Sequence, residues 1–467
     1  MGPGTFKLLF LGLMASGLPV FIAMAGSSLV YVMVSGNIPD FVVIHRMVGG
    51  LDSFPLLAVP FFILAGNLMN SAGITHRIYA FALALVGWMK GGLGHVNVVG
   101  SVVFAGMSGT AIGDAAGLGT VEIKAMRDHG YSAEFAVGVT AASATLGPII
   151  PPSLPFVIYA LFANVSVGAL FLAGILPGLV MAVLMMLTVA FFAHRNNWGG
   201  DIPFERRRVL RGLGEACLVL GWPVAISALV QLGLNPQATV VGGIVLLFAA
   251  DWKFRFEAVL PIMTPVLLIG GMSTGVFTAT EGAIAACVWA LFLGIVWYRT
   301  MSLKRLVKVS MDTIETTAAV LLIVAAASIF GWMLTATRTT EMIATWVLSI
   351  TTEPWSFLLL ANLLMLFVGC FLEPTAAITI LVPILLPIVQ KLGIDPVHFG
   401  LVMVLNLMIG LLHPPMGLVL FVLARVAKLS VERTTMAILP WLVPLLVSLA
   451  IVTYIPAISL WLPNAMR

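Results

Sequence analysis

Long apolar runs separated by short polar turns extend along almost the whole 467-residue chain, and they limit the fold more than any other feature. Only 9% of the residues are charged and 61% are hydrophobic, whereas a soluble globular domain carries roughly 25% charged residues. A soluble fold of this composition would have too little polar surface to face water. Backbone polar groups need internal partners in lipid, so the runs are predicted to be helices. The fold class is therefore an all-α polytopic membrane protein.

The N-terminal apolar run, residues 8–34, superficially resembles a secretory signal. Lys7 precedes the run, and Ala23-Met24-Ala25 looks like a cleavage site. The run is too long for the apolar part of a signal peptide and long enough for a span of about 20 residues. We therefore predict a first transmembrane helix here.

Basic residues collect in two loops, residues 194–211 and 299–308. Basic loops favour the cytoplasmic side of a membrane, so both loops are expected to face the cytoplasm. No basic face interleaved with aromatic residues is present, so nucleic acid is not an expected partner. The three cysteines, Cys217, Cys287 and Cys370, lie in apolar runs without a CxxC pair. They give no support for a disulfide or a structural zinc site.

An internal repeat is the most informative pattern in the chain. Residues 147–153 read Gly-Pro-Ile-Ile-Pro-Pro-Ser, and residues 410–416 read Gly-Leu-Leu-His-Pro-Pro-Met. The same separation of 263 residues joins Gly106 to Gly369, Gly130 to Gly393 and Gly147 to Gly410. Paired segments interrupted by Gly and Pro indicate a transporter site between repeats. The two repeats are predicted to be inverted relative to each other, which requires an odd number of crossings in each unit; the apolar runs alone leave that number open.

The pattern divides the chain into four expected segments. They are an N-terminal transmembrane helix and connection (1–53), a first repeat with a hairpin (54–193), a basic connector with an inserted apolar pair (194–257), and a second repeat with a hairpin (258–463).

Proline in a helix leaves the carbonyl four residues earlier without its donor. Pro151 is expected to free the Gly147 carbonyl, and Pro414 the Gly410 carbonyl. A free carbonyl at membrane depth is costly, and a dehydrated Na⁺ is a suitable partner for it. The next prolines, Pro152 and Pro415, free the carbonyls of Pro148 and Leu411 in the same way. The alternative is an ordinary kink, with neighbouring hydroxyls or water supplying the missing donors.

Polar side chains in the Gly-rich segments that precede each break are candidates to complete the ion's shell. They are Ser108, Thr110 and Asp114 in the first repeat, and Thr375 and Thr379 in the second.

Ionisable residues in apolar surroundings are functional candidates because burying them in a membrane is expensive. They are Asp114, Glu122, Glu281, Arg338 and Glu373. For Glu122, Glu281, Arg338 and Glu373, the alternative is a helix cap or an interfacial residue. The side chain of His413 is expected to be a satisfied polar group rather than a metal ligand, since no second histidine has ligand spacing.

The sequence resembles the large membrane subunit of tripartite ATP-independent periplasmic (TRAP) transporters. The segments that carry the resemblance cover most of the chain in order: 17–20, 60–70, 108–110, 147–153, 166–171, 277–281, 373–377 and 410–417. The ordered set is specific, although each segment alone is weak.

The resemblance implies an elevator-type transporter in a bacterial inner membrane, driven by two or more Na⁺ ions. It also implies a small membrane subunit, and a periplasmic binding protein that delivers a carboxylate-bearing organic anion. Backbone carbonyls at the breaks would hold Na⁺, which corresponds here to Gly147, Ile150, Pro152, Gly410, His413 and Pro415. The substrate region would correspond to Ser166, Glu281, Arg338 and Glu373.

Two residues depart from the family pattern. His413 stands where a small hydroxyl residue is frequent, and Glu373 stands where aspartate is common. Residues 215–257 look like an insertion with an even number of spans, which would preserve the topology.

Three other functions remain open at this point. The first is a stand-alone cation-coupled anion symporter that needs no binding protein. The second is a membrane-embedded enzyme, although the sequence has no His/Cys cluster and no nucleophile motif. The third is a channel, which saturable uptake would exclude.

Overall fold

The structure is a computed structural model that describes residues 3–36, 38–220, 259–273, 277–413 and 417–466. Within these ranges the regular structure is entirely helical, without a strand. The prediction of an all-α fold is confirmed. The apolar pair predicted within 215–257 lies mostly outside the described residues.

The first half of the chain contains a 3₁₀ turn at Phe54–Leu57, directly before α4, and a short α7 between α6 and α8. Its helices are α1 (Pro3–Ala15), α2 (Val20–Ser35), α3 (Phe41–Leu51), α4 (Ala58–Ser71), α5 (Ile74–Val86), α6 (Gly92–Ser108), α7 (Ala111–Ala116), α8 (Leu118–Asp128), α9 (Ala133–Ala144), α10 (Leu154–Ala163), α11 (Val167–Arg195) and α12 (Arg206–Leu220).

The second half contains a π-helical turn, Phe292–Trp297, at the end of α14. Its helices are α13 (Val259–Ser273), α14 (Ala279–Leu291), α15 (Leu303–Ala336), α16 (Thr339–Ile350), α17 (Pro354–Gly369), α18 (Pro374–Lys391), α19 (Pro396–Gly410), α20 (Leu418–Ala427), α21 (Val431–Tyr454) and α22 (Pro456–Ala465).

Six helical stretches in the described ranges are long and apolar enough to cross a membrane. They are Phe54–Ser71, Val167–Arg195, Ala279–Trp297, Leu303–Ala336, Pro374–Lys391 and Val431–Tyr454. Shorter apolar helices surround them, among them α9, α10, α19 and α20. Lipid-facing backbone must be helical, so these shorter pieces need neighbouring protein around their ends.

The N-terminal run does not form the single helix that was predicted. It folds into α1 and α2, which pack against each other. Gly17 adopts a φ of 81° between them, a conformation that suits glycine. Pro19, which cannot donate a backbone hydrogen bond, follows just before α2. The Gly17-Leu18-Pro19 sequence therefore separates two helices instead of kinking one.

The turns of the two halves match at corresponding positions. Gly130 and Gly393 both have positive φ, of 85° and 69°. Gly130 joins α8 to α9 and Gly393 joins α18 to α19, and these helix pairs are the first and the second hairpin. Asn164 and Lys428 also share positive φ, of 54° and 55°, 264 residues apart. Two residues after each of these, a serine caps the next long helix. The sequence repeat thus coincides with a repeated order of helices and turns, while the inverted relation of the halves remains a prediction.

Packing between the halves brings the two helix breaks together. Helix α10, which follows the first break, packs against α18 and α4. Helix α19, which precedes the second break, packs against α17, α10 and α18. Helix α15 contacts both α4 and α18. The breaks therefore lie in the interior of the bundle.

Candidate functional site

The first hairpin breaks where the Gly/Pro pattern predicts. Helix α9 ends at Ala144, α10 begins at Leu154, and the nine residues between them are not helical. Ser153 caps α10 by accepting a hydrogen bond from the Phe156 amide at 3.3 Å. Its hydroxyl also donates to the Pro148 carbonyl. The break is thus an ordered turn. For the Pro148 carbonyl, a neighbouring hydroxyl supplies the missing donor, as the alternative of an ordinary kink expects.

The second break begins where α19 ends, at Gly410, and α20 starts at Leu418. Gly410 lies directly against Gly369, the last residue of α17. A Cβ at Gly410 would lie 2.7 Å from both the Cα and the carbonyl carbon of Gly369. Only glycine allows such an approach, because these neighbours are backbone atoms. The ends of α17 and α19 are therefore held in direct contact.

The prediction that both glycine carbonyls lose their donors is wrong for the second break. The Gly410 carbonyl accepts a hydrogen bond from the His413 amide at 3.1 Å, because the chain turns tightly after α19. The Gly147 carbonyl accepts no hydrogen bond from a described residue. The two breaks are therefore unequal, and Gly147 carries the freer oxygen. Pro414 and Pro415 lie outside the described residues.

Asp114 lies beside the first break, and its carboxylate is only half satisfied. Its side chain is buried, and the Ser108 hydroxyl donates to Oδ1. The other oxygen, Oδ2, has no hydrogen-bond partner within the described part of the chain. A Cβ at Gly147 would lie 2.7 Å from Oδ2 and 3.1 Å from the Thr110 carbonyl oxygen. The structure thus brings together Ser108, Thr110, Asp114 and Gly147.

Thr110 fixes the local geometry of this group. It caps the short helix α7, with its hydroxyl accepting from the Gly113 amide at 3.2 Å. Its carbonyl accepts from the Asp114 amide, also at 3.2 Å. The cap holds the Asp114 side chain on the side of α7 that faces the break.

A cavity of about 320 Å³ lies between the two breaks and receives residues from both. Helices α4, α6, α7, α10, α15, α18 and α19 border it. Its polar and break-associated lining residues are Asn67, Asn70, Ser108, Thr110, Pro148, Thr316, Glu373, Thr375 and Leu411.

Glu373 and Thr375 form the start of α18 at this cavity. Glu373 caps the helix, with Oε2 accepting from the Ala376 amide at 3.2 Å. The Thr375 hydroxyl donates to Oε1 at 2.8 Å. The Thr379 hydroxyl instead donates to the Ala376 carbonyl at 2.8 Å, and Thr379 does not line the cavity. Glu373 therefore both caps a helix and lines the cavity.

The ionisable charge on the described cavity wall is negative only. Among its described lining residues, Glu373 is the single ionisable side chain, and neither lysine nor arginine is present. The N-termini of α10 and α18 lie at the cavity, through Leu154, Pro155 and Pro374. Helix N-termini carry partial positive charge, and carbonyls at helix C-termini carry partial negative charge. The cavity thus offers anion-attracting helix starts beside cation-attracting oxygens.

Three of the predicted substrate residues lie elsewhere as exposed helix caps. Ser166 caps α11 by accepting from the Ala169 amide at 3.3 Å. Glu281 forms a capping box with Thr278, whose amide donates to Oε2 at 2.8 Å. Arg338 is exposed at the start of α16 with a φ of 52°. None of the three lines the cavity.

Ile150, Pro152 and His413 lie around the breaks and, like Asp114, Gly147 and Gly410, are not part of the cavity wall. The Pro152 carbonyl oxygen lies against Gly109, 2.8 Å from where a Cβ would start. Ile150 packs on Gly178 of α11. The His413 ring lies 3.4 Å from the Cys370 sulfur, measured from Nδ1 to Sγ.

Sequence reasoning missed three polar residues of the cavity, Asn67, Asn70 and Thr316. Asn67 donates to the Thr313 hydroxyl at 3.0 Å, and Asn70 accepts from the Thr75 hydroxyl at 3.2 Å. The signal was present, because two asparagines three residues apart share one face of the apolar helix α4.

Glu122 does not reach the cavity and belongs to a separate buried network. Its Oε2 accepts from the Asn97 amide group at 2.6 Å, and the same group donates to the Thr140 hydroxyl at 2.8 Å. The Ser143 hydroxyl donates to the Asn97 carbonyl oxygen at 2.7 Å. The network ties α6, α8 and α9 together inside the first hairpin.

A polytopic helical protein with paired broken helices around a shared polar cavity has the architecture of a secondary transporter. Residues 8–458 match the family described as "Tripartite ATP-independent periplasmic transporter, DctM component". The chain belongs to this family: it is a large membrane subunit of a TRAP transporter, a multi-pass protein of the inner membrane and a transport protein rather than an enzyme.

Relatives of known name support this assignment. The chain is 41% identical over 455 residues to the sialic acid TRAP transporter large permease protein SiaM of Vibrio cholerae, covering 97% of each chain. It is 33% identical to the C4-dicarboxylate TRAP transporter large permease protein DctM of Rhodobacter capsulatus, covering 98% of this chain and 97% of that protein.

A solved structure shares the fold. The crystal structure of the YdaH transporter of Alcanivorax borkumensis matches with a TM-score of 0.62. The match covers 96% of this chain and 98% of that one at 14% sequence identity.

Proposed function

We propose that this chain imports a small organic anion, driven by Na⁺ that binds at the helix breaks. The charge of the cavity is the observation that supports this most strongly. Its described lining contains the Glu373 carboxylate and no basic side chain, and the buried Asp114 accepts a hydrogen bond from the lining residue Ser108. An anion entering this region needs compensating positive charge, which a co-transported cation supplies.

The first cation site proposed is the group around Asp114 and Gly147. Na⁺ is a hard cation and is suited to carboxylate, carbonyl and hydroxyl oxygens. Asp114 Oδ2, the Thr110 carbonyl and the Gly147 carbonyl meet this requirement; among the described residues, Oδ2 has no hydrogen-bond partner and the Gly147 carbonyl accepts no hydrogen bond. Ser108 orients the carboxylate through its hydrogen bond to Oδ1.

The second cation site proposed lies at the second break, with Thr375 and the carbonyls of Gly410, His413 and Pro415. A carbonyl oxygen has two lone pairs, so the hydrogen bond from His413 leaves the Gly410 oxygen able to bind an ion. The position of Leu411 on the cavity wall supports this assignment. In the same scheme Ile150 and Pro152 contribute carbonyls near the first break.

The substrate proposed is a carboxylate-bearing anion such as a C4-dicarboxylate or a sugar acid. Relatives are named for sialic acid and for C4-dicarboxylates, and the partial positive charge at the starts of α10 and α18 favours an anion in the cavity. A periplasmic binding protein would deliver it, and a small membrane subunit would complete the transporter. The hairpin domain would then carry the cavity past a fixed scaffold, as an elevator.

Uptake by proteoliposomes tests the function. They would contain this chain with its small subunit, and the binding protein would be supplied outside with a radiolabelled organic acid. The proposal expects accumulation only under an inward Na⁺ gradient. Equal accumulation after Na⁺ is replaced by K⁺ or choline would contradict it. Equal uptake without the binding protein would instead favour a stand-alone symporter.

A further inference from the structure

The thiol of Cys370 and the imidazole of His413 lie together although 43 residues separate them in the chain. Sγ of Cys370 is 3.4 Å from Nδ1 of His413. Cys370 directly follows the end of α17, and His413 lies in the break after α19. Gly369 directly precedes Cys370, and Gly410 is the last residue before the break that contains His413. The close contact between these two glycines therefore holds the thiol and the imidazole near each other.

This pair has the geometry of two ligands on one tetrahedral metal ion. Zn²⁺ binds sulfur at about 2.3 Å and imidazole nitrogen at about 2.0–2.1 Å, and a tetrahedral angle then separates sulfur and nitrogen by about 3.5 Å. The observed 3.4 Å matches that edge. The two groups, which lie at hydrogen-bond distance from each other here, are therefore already about as far apart as they would be on one ion.

We propose that Cys370 and His413 form a binding site for a borderline or soft divalent cation such as Zn²⁺ or Cd²⁺. Thiolate and imidazole are the ligands that these ions prefer, with water or nearby carbonyls completing the coordination. Cys370 gives up its thiol proton to solvent when the ion binds. Its present hydrogen bond to the Leu366 carbonyl, at 3.1 Å, is replaced in that step.

The site belongs to the second repeat alone. Moving back by the repeat distance of 263 residues places Met107 opposite Cys370 and Ile150 opposite His413. Neither offers a thiolate or an imidazole. A bound ion would therefore clamp the second break to the end of α17 and leave the first break untouched. Since Leu411, two residues before His413, lines the cavity, the clamp would inhibit transport; this consequence rests on the proposed function.

Direct binding is measured on the purified full-length chain in detergent. Cd²⁺ is added in steps, and the ultraviolet charge-transfer absorption of a cadmium–thiolate bond is recorded. The wild type is expected to show a saturable signal. Cys370→Met, which installs the residue of the first repeat, is expected to abolish it, and Cys370→Ala provides a second variant if the first does not fold.

His413→Gln is expected to raise the half-saturating Cd²⁺ concentration at least about 10-fold, since loss of even an outer partner of a metal ligand costs that much. Cys217→Ser and Cys287→Ala serve as controls because these cysteines lie in other helices. An undiminished signal in Cys370→Met, or loss of the signal in a control variant, would overturn the site.

Uptake gives the second readout. Zn²⁺ is expected to inhibit wild-type uptake at a concentration at least about 10-fold below that needed for Cys370→Met or His413→Gln. Binding without inhibition would overturn the clamp. The absorption titration measures metal binding whether or not the chain transports an organic anion. Failure of the metal-site proposal can therefore be distinguished from failure of the proposed transport function.

Discussion

The Asp114 oxygen Oδ2, which has no hydrogen-bond partner among the described residues, faces Gly147 and lies 2.7 Å from the point where a side chain on that glycine would begin. A buried carboxylate oxygen without a donor is costly in an apolar bundle. The absence of a side chain at Gly147 leaves room for a small cation beside this oxygen. This relationship between one acid and one glycine is the centre of the account.

Gly147→Ala tests whether the space beside Asp114 Oδ2 is needed for Na⁺ binding. The added methyl group would lie 2.7 Å from Asp114 Oδ2 and 3.1 Å from the Thr110 carbonyl oxygen, so the oxygens must move apart. The substitution is therefore expected to weaken Na⁺ binding by about 1.4–2.7 kcal/mol. This loss corresponds to a rise of about 10- to 100-fold in the Na⁺ concentration that half-saturates uptake. The measurement is uptake at graded Na⁺ concentrations.

Gly168→Ala is the matched control for this substitution. A Cβ at Gly168 would meet only the Ser166 hydroxyl at 3.7 Å, an ordinary contact, in another helix. Its Na⁺ dependence should equal that of the wild type. An unchanged Na⁺ dependence in Gly147→Ala would remove the role given to this glycine.

Glu373→Gln separates charge from helix capping at the cavity. Its amide oxygen can still accept from the Ala376 amide, so α18 keeps its cap. Loss of the negative charge is expected to weaken cation binding by about 1–2 kcal/mol, which raises half-saturating Na⁺ roughly 5- to 30-fold. Glu373→Ala should in addition lower stability by about 1 kcal/mol, because it removes the cap. Thermal unfolding in detergent and Na⁺-graded uptake distinguish the two effects; a wild-type Na⁺ response in Glu373→Gln would count against the charge argument.

Arg338→Gly separates stability from substrate binding at an exposed position. Arg338 has a φ of 52°, a left-handed conformation that costs an ordinary residue about 1–2 kcal/mol and glycine little. The variant is therefore expected to unfold at a higher temperature. If Arg338 meets the anionic substrate, KM for uptake rises as well, and Arg338→Lys recovers part of it. If stability rises and KM does not change, Arg338 has only a structural role at the start of α16 and does not bind the substrate.

Asn97→Leu tests the network in the first hairpin. The substitution leaves Glu122 Oε2 and the Thr140 and Ser143 hydroxyls with one partner fewer in a buried region. Unsatisfied buried groups cost about 1–3 kcal/mol each, so the loss of stability should reach at least about 2 kcal/mol. Ser166→Ala, at an exposed cap, should cost about 1 kcal/mol. Equal midpoints of thermal unfolding for the two variants would show that the network contributes little.

Sequence reasoning located the first break and the group around it because both depend on local chemistry. Pro148, Pro151 and Pro152 cannot continue a helix, and the Gly-rich segment before Asp114 matches a corresponding segment in the second repeat. The same local rule failed at Gly410, because it counted only the missing amide of Pro414. In the structure the chain turns tightly after α19, so the His413 amide donates a hydrogen bond to the Gly410 carbonyl.

The cavity wall itself was harder to predict because it combines distant segments. Asn67, Thr316 and Glu373 meet only through the packing of α4, α15 and α18. Ser166 is a candidate through the resemblance alone, and Glu281 and Arg338 also through their apolar sequence surroundings. In the structure all three start helices at exposed positions. The contact of Cys370 with His413 likewise has no signal in their spacing, since it arises from the packing of Gly369 on Gly410.

The most direct test of the account is the number of Na⁺ ions moved with each substrate molecule. It is obtained from the membrane potential at which net uptake into proteoliposomes stops, at fixed Na⁺ and substrate gradients. Asp114→Asn, which keeps the shape of the side chain but removes its charge, is expected to lower this number by one relative to the wild type. An active Asp114→Asn transporter with the same number of Na⁺ ions per substrate would contradict the assignment of a cation to Asp114 and Gly147.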